Sequence, residues 1–278
     1  MKKSVSVITG GHGGMGAAIA KELGKDSILV LASRDAEALK KTQQELTYMG
    51  YEAYAVPTDI RNADAVRALA DFSASLGQVM RVIHTAGVSP ADTAADEILD
   101  TNVLGTVHMT EMFFPILAEG GVMINFASLA AHTIEAPDDW FEVFDTYSDP
   151  DFYSKLQEQI EPFNSDAFAC AGMAYCLSKR FVIYYSQKNT VRFAKKGCRI
   201  ISISPGSYMT PMHQSLIDNQ PETAQMQLDS IPFGRWGHPY EIASLVSFIC
   251  SPSAGYLSGI DILTDGGQIA NTFVSQLD

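Results

Sequence analysis

Short apolar runs alternate with longer amphipathic stretches along almost the whole chain. A strand covered on both faces reads as a continuous apolar run, whereas a helix lying on a sheet repeats its apolar positions at helical spacing. The alternation therefore predicts parallel strands joined by helices that cover both faces of one sheet. Strands are expected at 5–8, 28–31, 53–56, 82–84, 122–126, 199–204 and 260–264, about seven in all, and helices at 14–23, 35–49, 62–75, 100–118, 175–195 and 239–250. His238-Pro239 supplies a helix-start signal and Gly197 a stop.

One stretch breaks the pattern. Between Ser128 and Tyr175 acids (Asp138, Asp139, Glu142, Asp145, Asp149, Asp151) and aromatics (Trp140, Phe141, Phe144, Tyr147, Phe152, Tyr153) crowd together, with Lys155 as the one lysine and no arginine. Aromatics at helical spacing predict helices with one apolar face, so residues 132–170 are expected to form a helical insertion. It is either a solvated cap on the body, a lid over a substrate, or a subunit-contact element.

Length and apolar content fit one domain over residues 1–278, since 278 residues with 46% hydrophobic content bury a sizeable core without dividing. A net charge of −13 excludes the basic footprint that nucleic-acid binding needs. Cys170, Cys176, Cys198 and Cys250 form no CxxC pair and sit in apolar contexts, so buried thiols are expected, with no metal site. Lys2-Lys3 is followed at once by a short strand and a glycine loop, which leaves no room for a signal peptide's apolar core, and no run is long enough to span a membrane. The expected location is the cytoplasm.

Chemistry enters with Thr9-Gly10-Gly11-His12-Gly13-Gly14-Met15-Gly16, which leaves the first strand and opens a helix. Glycines there let the backbone turn tightly and approach a pyrophosphate at a helix N-terminus. At the end of the second strand stands Ala32-Ser33-Arg34 in place of the acid that holds a free ribose 2′-hydroxyl. An arginine fork and a serine hydroxyl suit a 2′-phosphate, so NADP(H) is favoured over NAD(H). Arg34 is otherwise a solvated helix-start residue, and Asp35 is the nearest acid. Farther on, Tyr175 and Lys179 lie one helical turn apart on one face, where an ammonium stabilises a phenolate. Tyr184 and Lys188 repeat the spacing, but on the opposite face of the same helix, and are assigned to packing.

The order of these fragments resembles the short-chain dehydrogenase/reductase family from Val5 to about Gly267: a TGxxxGxG loop, Asn102, Ser128, Tyr175-Cys176-Leu177-Ser178-Lys179 and Pro205-Gly206. Within the family, the short stretch from Gly87 to Asn102, the long insertion and the ending Ile262-Leu263-Thr264-Asp265-Gly266-Gly267 look most like the 3α-hydroxysteroid dehydrogenase/carbonyl reductase branch. The resemblance implies a Rossmann-like, doubly wound fold and an oxidoreductase acting on a ketone or secondary alcohol. Its catalytic set would be Asn102, Ser128, Tyr175 and Lys179, with Ser128 orienting the carbonyl, Tyr175 exchanging the proton, Lys179 tuning Tyr175 and holding ribose, and Asn102 kinking its helix and completing a proton path.

By the same resemblance the cofactor would lie against Gly10, Gly14, Met15, Gly16, Ser33 and Arg34, then Asp59-Ile60 at the adenine and Ala86-Gly87. Tyr175, Lys179, Pro205, Gly206 and Thr210 would hold the nicotinamide half. His84-Thr85 replaces the family's Asn-Asn, side chains that normally tie neighbouring strands together, and His84 is read as structural. Residues 207–233 are expected to form a substrate flap, with Tyr208, Met209, Met212 and Leu216 lining an apolar pocket. The substrate reading is a hydroxysteroid or similar bulky apolar carbonyl; a keto-acyl thioester, a sugar, or a non-catalytic NADP(H)-binding sensor or scaffold are the alternatives. A homodimer or homotetramer is expected. The insertion abuts the helix used in one family interface, which would leave a dimer through the last helix and strand.

Overall fold

The computed structural model describes residues 3–91 and 93–274. The chain begins β1 (Ser4–Thr9), α1 (Gly14–Leu23), β2 (Ile28–Ser33), α2 (Ala36–Tyr48), β3 (Ala53–Pro57), α3 (Ala63–Leu76) and β4 (Gln78–His84). It continues through α4 (Ala95–Ile98), a π-helical turn (Leu99–Leu104), α5 (Gly105–Phe113), β5 (Leu117–Phe126) and a short 3₁₀ turn (Leu129–His132). Next come α6 (Asp138–Asp145), α7 (Phe152–Ile160), α8 (Ala167–Lys188), α9 (Thr190–Lys195) and β6 (Arg199–Pro205). The last elements are α10 (Pro211–Asn219), α11 (Pro221–Asp229), α12 (Pro239–Cys250), β7 (Asp261–Thr264) and α13 (Gln268–Val274). The seven strands form one parallel sheet in the order β3-β2-β1-β4-β5-β6-β7, the expected doubly wound arrangement in a single domain.

Side chains of a strand alternate between faces, and here both faces are buried. Leu29 and Leu31 of β2 enter a core with α1 and α12, whereas Ile28, Val30 and Ala32 enter the opposite core with α3 and α5. Both faces being apolar is why the strands read as unbroken hydrophobic runs. The order reverses at β1 and β4, so the carboxyl ends of β1 and β4 diverge and leave the crevice where such sheets bind ligands.

Two helices differ from expectation. The one expected over 100–118 ends at Phe113, and Leu117 already begins β5, whose register then steps from Leu117 to Val122 through Gly120 at φ +79°. The helix expected to start at Tyr175 starts eight residues earlier, at Ala167, and stops at Lys188. Asp166 caps it, accepting from the Phe168 and Ala169 amides at 2.9 and 3.1 Å. Tyr175 thus stands two turns inside the helix rather than near its start.

The insertion folds as α6 and α7, and its apolar faces are buried. Trp140, Phe144, Phe152, Leu156 and Ile160 pack with Ala174, Leu177, Phe181 and Tyr185 of α8 and with Ile98, Leu99 and Val103. Its polar faces hold Asp145 against Tyr184 and Lys188, and Lys155 against Asp149 and Asp151. Tyr184 and Lys188 therefore bind the insertion, as their position on the far face of α8 predicts. Among the described residues no helix is long and apolar enough to cross a membrane.

Candidate active site

The floor of the site is bare backbone. Gly10 adopts φ +64°, and a Cβ there would meet Thr85 Oγ1 at 2.8 Å; a Cβ on Gly16 would meet the Gly10 carbonyl at 2.3 Å. The loop therefore admits no side chain at either position. Gly13 caps α1 without a side-chain acceptor, and no acid occupies the first helical turn, so the leading amides of a ten-residue helix face outward unpaired and suit an anion. Met15 packs partly against the core beneath the loop. Thr210 caps α10, accepting from the His213 amide at 3.3 Å, and its Cβ lies 2.8 Å from where a Cβ on Gly14 would stand. This brings the segment after Pro205-Gly206 against the glycine loop.

Asn102, Ser128, Tyr175 and Lys179 converge above that floor. Asn102 sits in the π-helical turn, where its Oδ1 accepts from the Val88 amide at 2.9 Å and its Nδ2 donates to the Val88 carbonyl at 3.0 Å and to Ser178 Oγ at 3.2 Å. Bonding to Val88 and Ser178 fixes a helix defect of the kind expected for this asparagine, since π turns persist where outside partners hold them. A Cβ on Gly87 would lie 3.0 Å from Asn102 Oδ1 and 3.2 Å from Lys179 Nζ. A side chain there would press on both groups.

Ser128 follows β5, is extended at φ −168°, and caps the 3₁₀ turn by accepting from the Ala130 amide at 3.2 Å. Its hydroxyl lies near enough to the Tyr175 phenol to favour the phenolate. The insertion between them in sequence is a helical excursion, so the long interval does not separate them in space.

Burial pushes the Tyr175 phenol above its usual range, and the neighbouring Ser128 hydroxyl pulls it partly back. Lys179 Nζ lies 5.7 Å from the Tyr175 ring centroid and donates to the Phe126 carbonyl at 3.0 Å. Burial lowers its pKa to about 8. In this geometry desolvation is the largest influence on the phenol, and the Lys179 ammonium is directed at a backbone carbonyl. The phenol is thereby held in its neutral form.

Beside these groups a cavity of about 490 Å³ runs along Gly10, Ser33, Arg34, Ile60, Ala86 and Gly87. Asp35 lies at its rim but caps α2, accepting from the Ala38 amide at 2.9 Å. Asp59 turns its carboxylate to Arg61 instead of into the cavity, with Arg61 Nη2 donating at 2.6 Å, which leaves Thr58 and Ile60 as the lining residues of that loop. Arg34 Nη1 donates to Glu97 Oε1 at 2.9 Å, and Arg61 Nη1 reaches the same oxygen at 3.4 Å. Neither Arg61 nor Glu97 was singled out from sequence. They stand 27 and 63 positions from Arg34, and no local spacing signals that they meet it.

His84 does tie strands together: its ring bonds Thr9 Oγ1 at 2.8 Å and Thr106 Oγ1 at 3.2 Å, while Thr85 Oγ1 donates to the Thr9 carbonyl at 2.6 Å. Tyr208 is not among the residues that line the cavity along Gly10 and Gly87. It packs against Gly237 and lines a second cavity of about 310 Å³ with Ser207, Arg235, Glu241 and Asp265, because the chain turns toward α12 after Gly206. The side chain of Met212 lies outside the described residues. Gly206 donates to the Thr264 carbonyl at 2.9 Å, which fixes Pro205-Gly206 at the β6–β7 end. The cysteines are free, and the described residues hold no cluster fit for a metal ion.

The chain and its geometry have close parallels. Residues 4–136 match the short chain dehydrogenase family profile, and residues 164–268 match that of the enoyl-(acyl carrier protein) reductases. The short-chain dehydrogenase/reductase bsc3 of Alternaria brassicicola is 30% identical over 275 residues, which cover 97% of each chain. The 7alpha-hydroxysteroid dehydrogenase of Escherichia coli K12 is 26% identical over 95% of this chain and 93% of its own. A 7 alpha-hydroxysteroid dehydrogenase structure, complexed with NADH and 7-oxo glycochenodeoxycholic acid, superposes with a TM-score of 0.76 at 25% identity, over 95% of this chain and 93% of that one. Glycine loop, sheet order and the convergence of Tyr175, Lys179, Ser128 and Asn102 fall within a match that spans nearly the full length of both chains, and by it this chain belongs to the short-chain dehydrogenase/reductase family of oxidoreductases.

Proposed function

We propose that the chain is an NADP(H)-dependent alcohol dehydrogenase/carbonyl reductase acting on a bulky apolar ketone or its secondary alcohol, with a hydroxysteroid as the first candidate. The observation that carries the reading is the convergence of Tyr175, with the Ser128 hydroxyl near its phenol, on Lys179 and Asn102 at the edge of the glycine-floored cavity. The bare floor at Gly10 and Gly87 and the open first turn of α1 fit a dinucleotide laid against backbone. When bound, the nicotinamide supplies or receives the hydride.

The remaining work falls to side chains. Ser128 and Tyr175 together hold a substrate carbonyl oxygen, and Tyr175, neutral at pH 7, gives that oxygen its proton. Lys179 holds a ribose hydroxyl and, while protonated, steadies the phenolate left behind. Asn102 keeps the π turn open beside Gly87 so that the proton can be replaced from solvent.

The choice of NADP(H) rests on Arg34 and Ser33 at the cavity rim, with Asp35 engaged in capping α2. Arg61 adds a second guanidinium near Arg34 through their shared partner Glu97, while the glycine loop has Gly13 where NADP-preferring relatives often have a basic residue. The hydroxysteroid candidate draws on the 7alpha-hydroxysteroid dehydrogenase likeness and on the branch resemblance. A keto-acyl substrate is the second reading, favoured by the carboxyl-terminal match to the reductases of acyl carrier protein substrates. A non-catalytic sensor is disfavoured because all four catalytic side chains are retained.

The test is oxidation of NADPH and of NADH against steroid ketones, aromatic ketones and acetoacetyl thioesters, with Tyr175→Phe beside wild type. Turnover with NADPH on steroid ketones is expected, with the variant slower by roughly 10²–10⁴-fold, the usual worth of a positioned acid. Preference for NADH, or an unaffected variant, refutes the cofactor or the mechanistic part respectively.

A further inference from the structure

Glu97 has no part in the chemistry above, yet it sits where the cofactor cavity closes. Arg34 belongs to the lip that follows β2, whereas Glu97 lies on α4, one turn before Thr101 on the opposite wall. Its Oε1 receives Arg34 Nη1 at 2.9 Å and Arg61 Nη1 at 3.4 Å, so a single carboxylate oxygen joins both lips to the loop after β3. Arg61 is held in turn by Asp59, whose oxygens receive its Nε at 3.0 Å and its Nη2 at 2.6 Å. Two cations and two anions alternate across the mouth as Arg34, Glu97, Arg61 and Asp59.

The helix that carries Glu97 is itself fixed from behind. Gln157 Nε2 donates to Asp96 Oδ1 at 2.9 Å, and the Tyr153 hydroxyl donates to the Asp96 carbonyl at 3.2 Å, both from α7 of the insertion. Glu97 is thus presented to Arg34 by a braced element and not by a free loop.

We infer that Glu97 is a specificity-determining residue for the ribose 2′-phosphate, an internal anion that occupies the phosphate's guanidinium. The inference rests on the reading that Arg34 receives that phosphate. Carboxylate and phosphate compete for the same planar fork of donors, so a phosphorylated ribose must displace Glu97 from Arg34 and then tolerate its charge nearby. A ribose with a free 2′-hydroxyl makes no such demand. Glu97 therefore weakens binding of the phosphorylated cofactor alone and narrows the preference that Arg34 creates. Arg61 limits the penalty, because it remains to hold Glu97 after Arg34 is taken.

The experiment is calorimetric titration of the full chain with adenosine 2′,5′-bisphosphate and with adenosine 5′-monophosphate, using wild type, Glu97→Gln, Glu97→Ala and Arg34→Ala at one salt concentration. Because the pairs are partly exposed and screened, both Glu97 variants are expected to tighten bisphosphate binding by roughly threefold to tenfold. Monophosphate binding should not change. Unchanged or weaker bisphosphate binding in Glu97→Gln and Glu97→Ala overturns the inference; weaker binding would make Glu97 a residue that orients Arg34. Failure of the underlying reading looks different: wild type then binds the two nucleotides equally, and Arg34→Ala alters neither. If Arg34→Ala abolishes the bisphosphate preference while the Glu97 variants match wild type, only the role of Glu97 is lost.

Discussion

At residue 84 a histidine stands where the family pattern has asparagine, and its partners fix its tautomer. Thr106 Oγ1 donates to the Asn102 carbonyl at 2.7 Å, so it accepts from the ring, and Nε2 carries the hydrogen. Thr9 Oγ1 accepts from the Ala86 amide at 3.1 Å and donates to Nδ1. The ring is neutral and fully enclosed, and burial, with the Lys179 charge second, lowers its pKa from 6.5 to about 3. Between those values the unfolded chain binds more protons than the native one, so this contribution is complete above pH 6.5 and is lost as pH falls toward 3. The loss amounts to about 4–5 kcal/mol at its limit. His84→Asn, which takes no proton, should cost about 1–3 kcal/mol at pH 7 through a broken bond to Thr9 or Thr106. It should also show a shallower decline of the urea midpoint with acid than wild type. Equal slopes for the two proteins would mean that His84 titrates normally. A histidine in this position is visible in sequence, but its neutrality is not, because it depends on Thr9 and Thr106 arriving from β1 and α5.

Elements divide in the same way between what local sequence dictates and what tertiary contact decides. β2 was legible as an unbroken apolar run, and α12 because apolar period and cap coincide: His238 and Glu241 form a reciprocal cap at its start, with the His238 amide donating to Glu241 at 2.7 Å. Tyr175 and Lys179 were legible because one helical turn is a sequence-local relation. The helix defect at Asn102 was legible only through the family resemblance, since Leu99–Leu104 carries the same apolar spacing as an α-helix and the slip is held by Val88 and Ser178. The early start of α8 had a sequence signal, Asp166 before an alanine-rich run, masked by the insertion that precedes it. That insertion is part of the fold's core and not an appendage. Phe144 is fully buried and packs edge-on against Phe181 at 5.3 Å between ring centroids and against Phe141 at 6.0 Å. Phe144→Ala should therefore destabilise the chain by about 3–5 kcal/mol, the range for emptying an aromatic site in a core. Thermal unfolding of the variant measures it, and a loss below about 1 kcal/mol would show that α6 is a loosely attached cap.

On the scale of the whole molecule, the two sides of the sheet's far end are finished differently. The apolar face of α8 is covered from within by Trp140, Phe144 and Phe152. The β7 edge is not: its four residues are all partly exposed, and Tyr240, Phe248, Tyr256 and Ile260 beside it leave large apolar surface in water. An open edge strand flanked by exposed aromatics is a pairing surface unless something covers it, and a second copy related by a two-fold axis does so with identical residues. We therefore expect a homodimer through β7 and α12, with the tetramer's further interface closed off by the insertion. Phe248→Glu combined with Ile260→Glu should give a monomer in light scattering, whereas Phe168→Glu, on a residue 75% exposed at the start of α8, should leave the dimer intact. Salt provides an independent check. Each chain carries a formal charge of −13, so two copies repel at low ionic strength, and an apolar interface should tighten as salt screens that repulsion. An association that weakens with salt would instead require ion pairs across the interface, and the assignment to the apolar surface of Tyr240, Phe248, Tyr256 and Ile260 would fail with it.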